Sequence, residues 1–381
     1  MQDKKKKVLV FYPHNFYEMS SGTHRRIYEL LSYLRDRNFS TDLLSLNGFS
    51  NKWNSGDLSR RDLFDSIRVC EWKLSYMEKI RQARSAQNHG LSDLVTQDLK
   101  NAIAEMASAV DYSFIIITYA YWGRLAEVDS RAIKIFNFQD FLTLNTYLQN
   151  PGVEFALGKM FQDEVRAISR FEYALSISEE ETVALSPFCP GTVFINAPIS
   201  FPKRFIENAG RDFDILFIGS DNPFNREGMD WFMKEAYPLL PHDLKIAVVG
   251  KICSHVEQKK NMTRIPFLED LSEIHRKSKL LICPLKGGTG LKIKVIEALS
   301  FGMPVVTTSW GLKGILSKTE NGCVLAESGA EFAQAIIRIL GNESEFENLR
   351  QQARMFFSKY YSTEMVHENL DKLFMREHGA V

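Results

Sequence analysis

The block from Lys279 to Thr308 constrains the fold of this chain most tightly. A strand-like run, Lys279 to Cys283, enters a glycine-rich turn, Gly287-Gly288-Thr289-Gly290. Helical spacing follows, with Leu291, Val295, Ala298 and Leu299 apolar, and the pattern stops at Gly302. Pro304 then opens a second, β-branched run, Val305-Val306-Thr307-Thr308. Strand, tight turn, helix and strand make one repeat of a parallel α/β sheet. Glycines let a backbone approach a ligand closely, and the free amides of a helix start favour an anion. Lys292 and Lys294 add positive charge in the first turns. Glu297, further along, can accept hydrogen bonds from sugar or ribose hydroxyls. Phosphate at the mouth and a diol receptor behind it point to a nucleotide or a nucleotide sugar. The competing account is a turn that binds nothing, with Lys294 and Glu297 forming a surface pair worth about 0.2–0.5 kcal/mol. The block is neither a dinucleotide fingerprint, lacking the third glycine after Gly288 and Gly290, nor a Gly-Lys-Ser/Thr phosphate loop.

At 381 residues the chain exceeds one comfortable core, so two domains are expected. The 47 basic and 47 acidic residues cancel, which argues against a general nucleic-acid binder. The 5 cysteines have no metal-ligand spacing and make no even disulfide set, which fits a reducing, cytoplasmic compartment. Lys4 to Lys7 precede only a short apolar run, Val8 to Tyr12, so no signal peptide is expected. No apolar stretch approaches the ~20 residues that span a bilayer.

Strand-like runs alternate with helical segments along the chain. The first run leads into a loop, His14 to Thr23, and a helix, His24 to Arg37. A strand is expected over Thr41 to Leu46, and residues 55–110 read as polar, charged and mostly helical. Ser113 to Thr118 reads as a fully buried strand, and Ala132 to Phe138 as another, ending in Gln139-Asp140. Ala174 to Ser178 and Thr192 to Asn196 complete the set. The polar stretch Phe201 to Arg211 reads as an interdomain linker, after which the alternation restarts at Phe213. The end, Glu343 to His378, reads as helical with a break near Tyr360-Tyr361-Ser362.

Gly288-x-Gly290-x-Lys292-x-Lys294-x-x-Glu297-Ala298, followed by Gly302-x-Pro304-Val305-Val306, resembles the donor-site motif of the retaining GT-B glycosyltransferases of family 4, "group 1". Four further segments share the resemblance. They are Phe217 to Ser220 with Asn225 and Trp231-Phe232; Leu244 to Gly250; Arg264 to Leu271; and Asn321 to Leu325. The resemblance implies two Rossmann-like α/β domains whose parallel sheets face a cleft. Their expected spans are 1–205 on the acceptor side and 206–361 on the donor side, with helix 362–381 returning to the first. It also implies transfer of a sugar from a nucleotide diphosphate sugar to a hydroxyl of a glycan or lipid-linked acceptor, with retention. Thr289 stands where many members carry a first glutamate. That departure raises an alternative, a non-catalytic sugar-nucleotide-binding protein on the same scaffold.

Open α/β sheets bind ligands at the carboxyl ends of their strands, which selects the remaining candidates. Gly22 lies in a loop that resembles the family's N-terminal glycine loop and leads into Arg25 and Arg26; a helix cap with solvated arginines is the alternative. Asp140 can orient or deprotonate an acceptor hydroxyl, or cap the next helix. Tyr119, Tyr121 and Trp122 form a sugar platform or fill the core. Ser220, Arg226 and Lys251 follow strands of the second half and can approach the donor phosphates, as can Thr289 and Leu291 on the glycine loop. No strand-end carboxylate cluster of the Asp-x-Asp kind is present, so no metal and no cofactor are expected. The departing diphosphate is met instead by Lys292, Lys294 and the amides of Gly290–Leu291, taken as the helix start. In the family resembled here, the leaving phosphate itself takes the acceptor's proton. The basic run Lys4 to Lys7 allows weak peripheral contact with the inner membrane face.

Overall fold

The computed structural model describes residues 5–19, 22–49, 52–87, 90–149, 157–207, 212–288 and 290–376. Lys4, Ser20, Ser21 and Thr289 lie outside the described residues. The chain divides into two compact units, Met1–Ile199 and Ser200–Val381.

The first unit contains β1 (Lys7–Phe11), β2 (Ser40–Asn47), β3 (Ser66–Glu71), β4 (Phe114–Thr118), β5 (Ile133–Asn137), β6 (Tyr173–Ser176) and β7 (Val193–Asn196). They lie in the order β3-β2-β1-β4-β5-β6-β7, every pair parallel. Helices cover both faces of such a sheet, so its central strands read as unbroken apolar runs. All five residues of β4, Phe114-Ile115-Ile116-Ile117-Thr118, are buried for that reason.

The edge strand β3 is an element that the expected mostly helical character of residues 55–110 did not include. Helices Ser55–Ser59, Tyr76–Gln87 and Gln97–Ala109 do occupy this stretch. Between them Ser66 to Glu71 pairs with Asp42 to Asn47 of β2. Edge strands are half-solvated and carry polar side chains, so β3 shows little of the apolar signal that marks a central strand.

The second unit contains β8 (Phe213–Ile218), β9 (Ile246–Val249), β10 (Met262–Ile265), β11 (Ser278–Cys283), β12 (Val305–Thr307) and β13 (Cys323–Leu325). Their order is β10-β9-β8-β11-β12-β13, again all parallel. Each sheet reverses direction beside its first strand, between β1 and β4 and between β8 and β11. These are the topological switch points where doubly wound sheets open a crevice for ligands.

The polar stretch read as a linker is pinned over its described part. Phe201 is fully buried, and its backbone exchanges hydrogen bonds with Tyr361 and Thr363. Arg204 N and Ile206 N donate to the carbonyls of Ser300 and Phe301, and Arg350 and Arg354 both donate to Ile206 O. The terminal helices are Glu343–Tyr360 and Thr363–Phe374, and Ser362 caps the second by accepting from Met365 N at 3.4 Å.

Candidate functional site

In the second unit, the loops leaving β8 and β11 meet at the switch point. Gly250 ends β9 with φ +100°, and a Cβ there would stand 2.4 Å from Gly219 O, so the β8 and β9 exits touch backbone to backbone. Gly288 and Gly290 hold φ of +97° and +70°, which a side chain would resist. The helix Pro223–Trp231 lies against this loop through Phe224, whose Cδ1 would be 3.0 Å from a Cβ at Gly287.

The helix behind the glycine loop spans Ile293–Ser300, with Lys292 as its N-cap. This corrects the expected start at Gly290–Leu291. Gly290 takes a left-handed turn and Lys292 an extended one, with φ −84° and ψ 99°. The open helix amides therefore begin at Ile293, two residues later than the apolar spacing alone suggests.

Lys294 is the centre of the arrangement at this switch point. Its Nζ donates to Asn225 Oδ1 at 2.8 Å and sits 4.3 Å from the centre of the Phe217 ring. Asn225, buried, donates in turn to Ser220 O at 2.9 Å, and its own amide is held by Asn222 Oδ1 at 2.9 Å. One asparagine thus ties the β8 exit, where Ser220 lies, to the helix after β11. Burial lowers the Lys294 ammonium to about 8. A desolvated cation is poised to pair with an anion. Lys292 folds back on the loop, its Nζ donating to Gly288 O at 3.1 Å and Gly290 O at 2.8 Å. Glu297 is buried, 6% exposed, on the face of its helix that carries Lys294 one turn earlier.

Arg226 and Lys251 stand apart from that centre. Arg226 is exposed and held by Asp221 through contacts of 2.5 and 2.7 Å. Lys251 is exposed and lines an open cleft of about 630 Å³ with Asp221, Gln258 and Arg264. Among the described residues, no group of three His, Cys, Asp or Glu side chains is arranged to hold a metal ion.

In the first unit, Tyr119 closes β4 with φ 68° and ψ 137°, a backbone conformation rare for a bulky residue. Such outliers concentrate at functional sites, where surrounding structure over-determines them. Its ring stacks on Tyr12 at 6.3 Å, and Tyr12 also packs against His14 and His24. Burial, and then the neighbouring His24, lowers His14 to about 4, and burial lowers His24 as well. Gly22 begins the helix Gly22–Asp36, and Arg25 pairs with Glu29 at 3.1 Å. Arg26 instead turns inward. Its guanidinium donates to Asn137 Oδ1 at 2.7 Å, to Leu175 O and Ala197 O at 3.0 Å, and to Phe138 O, clasping the ends of β5, β6 and β7.

Asp140 is half-buried just past β5 and acts electrostatically on Tyr119, Tyr121 and Glu181. Glu181 is a candidate that the sequence does not single out. It opens the helix after β6, where Ser178-Glu179-Glu180-Glu181 reads as an ordinary cap, and its amide does bond Ser178 Oγ. Its carboxyl is nevertheless buried, and Oε2 has no hydrogen-bond partner among the described residues. Burial, then Asp140, raises it to about 8. Tyr121 is half-buried. Trp122 is fully enclosed, with its ring against Phe11, Phe49 and Trp72. The expected place of Trp122 in a sugar platform is therefore corrected: it is a core side chain.

Residues 212–342 match the family model described as "Glycosyl transferases group 1". A curated relative, an uncharacterized 44.6 kDa protein in the cps region of Klebsiella pneumoniae, is 26% identical over 222 residues, 54% of this chain. The match spans 56% of that relative's length. Among solved structures, HepE of Anabaena in complex with UDP superposes with a TM-score of 0.70 at 12% identity, over 97% of this chain and 99% of that one. Sucrose-phosphate synthase from Thermosynechococcus elongatus superposes with a TM-score of 0.68 at 13% identity, over 97% and 98%. The chain has the GT-B fold, and its residues 212–342 match the glycosyl transferases group 1 model.

Proposed function

We propose that this protein is a retaining, metal-independent glycosyltransferase that moves a sugar from a nucleoside diphosphate sugar to an acceptor hydroxyl. The observation that carries the proposal is the junction of Lys294, Asn225 and Ser220 at the switch point of the second sheet, with Glu297 buried on the same helix. In this proposal the Lys294 ammonium, Lys292 swung from the loop carbonyls, and the amides from Ile293 onward meet the diphosphate. Glu297 accepts from the ribose hydroxyls. The bond from the anomeric carbon to the diphosphate oxygen breaks as a bond to the acceptor oxygen forms. The acceptor's proton passes to the departing diphosphate, and Asp140, with Glu181 beside it, orients the acceptor.

HepE is described in complex with UDP and, in a further structure, with UDP-glucose. Uridine diphosphate sugars are therefore the first donors to test here. The relative's place in a cps region supports an acceptor drawn from polysaccharide biosynthesis. The deciding experiment screens nucleotide sugars by thermal shift, since a ligand at a hundred times its Kd adds about 2.7 kcal/mol. Release of free nucleoside diphosphate in the presence of a glycan or lipid-linked acceptor then identifies an enzyme. Binding without release over a full acceptor panel returns the alternative, a sugar-nucleotide-binding protein. No binding of any nucleotide sugar overturns both.

A further inference from the structure

β7 lies at one edge of the first sheet, and among the described residues no strand pairs with its outer side. Its odd-numbered residues bond toward β6: Val193 N donates to Glu172 O and Ala197 N to Ser176 O, each at 2.9 Å. The N–H and C=O of one strand residue point the same way, and this direction alternates along the strand. Phe194 therefore turns both of its main-chain groups outward. An open edge is a template for another strand, and sheets usually guard it with charge. The opposite edge of this sheet is guarded in that way. β3 carries Arg68 and Glu71, and Arg68 pairs with Glu105 at 2.8 Å. β7 reads Val193-Phe194-Ile195-Asn196 and has no charged side chain.

The surface beside β7 is apolar as well. Val193 is 55% exposed. The helix Glu179–Leu185 and the turn Ser186–Phe188, which lead into β7, expose Val183 at 66% and Phe188 at 55%. Phe188 stands edge-on to Phe161 with 4.9 Å between ring centres, so its ring is fixed at the surface. A second copy of the same edge matches this one. When the two strands lie antiparallel about a two-fold axis at Phe194, the Phe194 N–H of each copy reaches the Phe194 C=O of the other. Side chains directly opposite then share a face. Phe194 meets Phe194, and Val193 of each copy meets Ile195 of the other. Aromatic and β-branched pairs are favourable cross-strand combinations. With 47 basic and 47 acidic residues, no net charge holds two copies apart. We infer that this protein forms a two-fold dimer in which β7 pairs antiparallel with its copy, joining two seven-stranded sheets, while Val183 and Phe188 pack beside the seam. This inference does not depend on the proposed glycosyl transfer.

Sedimentation equilibrium of the full chain over a wide concentration range tests it. The expected result is a reversible species of twice the 43.7 kDa chain mass. Phe188→Ser with Val193→Lys raises the dissociation constant about a hundred-fold or more, because it removes an aromatic contact and buries an unpaired charge at the seam. Circular dichroism of that variant stays unchanged, since both side chains are more than half exposed in the single chain. Cross-linking tests the register. Val193 and the partner's Ile195 form a non-hydrogen-bonded pair with Cα atoms about 4.5 Å apart, within the span of a disulfide. Mild oxidation of Val193→Cys with Ile195→Cys therefore yields a covalent dimer on a non-reducing gel, and Val193→Cys alone yields none. A monomer at every concentration overturns the inference and leaves the edge to a different partner. A dimer that survives Phe188→Ser with Val193→Lys also overturns it, as does a dimer in which the double cysteine variant fails to cross-link.

Discussion

Lys294 Nζ donates to Asn225 Oδ1 at 2.8 Å, linking side chains that lie on helices following two neighbouring strands of the second sheet, β8 and β11. The contact orients a partly desolvated ammonium across the switch point, beside the glycine loop. An anion binding there exchanges little water and finds its counter-charge already positioned, which is how preorganised sites stabilise developing charge.

Lys294→Met is therefore expected to lower kcat/KM by about 10²–10³, the usual cost of removing one preorganised stabiliser of leaving-group charge. Because burial has lowered the Lys294 pKa to about 8, donor binding should weaken as pH rises through that value. The linkage to stability has the opposite sense. Between pH 8 and the ordinary lysine range the unfolded chain binds the extra proton, so in this window the group makes the apoprotein more stable as pH rises. Donor affinity by calorimetry and thermal melts, each against pH, check both halves. A donor affinity independent of pH over this range would remove Lys294 from the phosphate site.

Glu297→Ala should leave the fold intact and weaken nucleotide binding by about 1.5–3 kcal/mol, the range for hydrogen bonds to a charged acceptor. The 2′-deoxy form of the nucleotide should bind wild type more weakly and show a smaller loss on mutation, because one of the ribose bonds is already gone. An unchanged affinity in a folded variant would show that this buried carboxylate serves only its own helix.

Turnover is expected to persist in excess EDTA, since the proposed counter-charges are Lys292, Lys294 and backbone amides. Activity assayed after exhaustive chelation, then with magnesium or manganese restored, checks this. Loss on chelation with recovery on addition of metal would transfer the leaving-group role to an ion.

Glu181 makes a stability prediction. Its carboxyl keeps its proton in the folded chain up to about 8 but loses it near the ordinary value when unfolded. Between those values the folded state binds more protons, so this group makes stability fall as pH rises, with no further loss above about 8. Glu181→Gln should flatten that slope and melt at a higher temperature than wild type above neutral pH. Melting curves from mildly acidic to mildly alkaline pH check it, and parallel profiles for the two proteins would mean that Glu181 is already ionised when folded.

Local chemistry made much of this protein legible in one dimension. Phe114–Ile117 of β4 and Leu280–Cys283 of β11 are unbroken apolar runs because both faces of a parallel sheet are covered, and the glycine loop with Lys292, Lys294 and Glu297 stands in one segment of chain. Alternating strand and helix signals imply a doubly wound sheet, and strand-end positions then select Ser220, Tyr119 and Asp140. Other features depend on residues that meet only when the chain folds. β3 is a strand because β2 offers it an edge, not because its own side chains demand one. Arg25 and Arg26 are neighbours with the same charge, yet one pairs on the surface and the other clasps three strand ends, Ala197 being 171 positions away. Trp122 and Tyr119 belong to one aromatic run, and packing sends one ring into the core while leaving the other under backbone strain. Glu181 looks like a helix-capping glutamate until burial and Asp140 set its proton affinity. The sequence alone marked the central strands and set the glycine loop, Lys292, Lys294 and Glu297 in one segment. The tertiary structure decided which charged and aromatic side chains stay at the strand ends and which hold the fold, because burial and long-range partners, unlike local propensity, depend on residues distant in the chain.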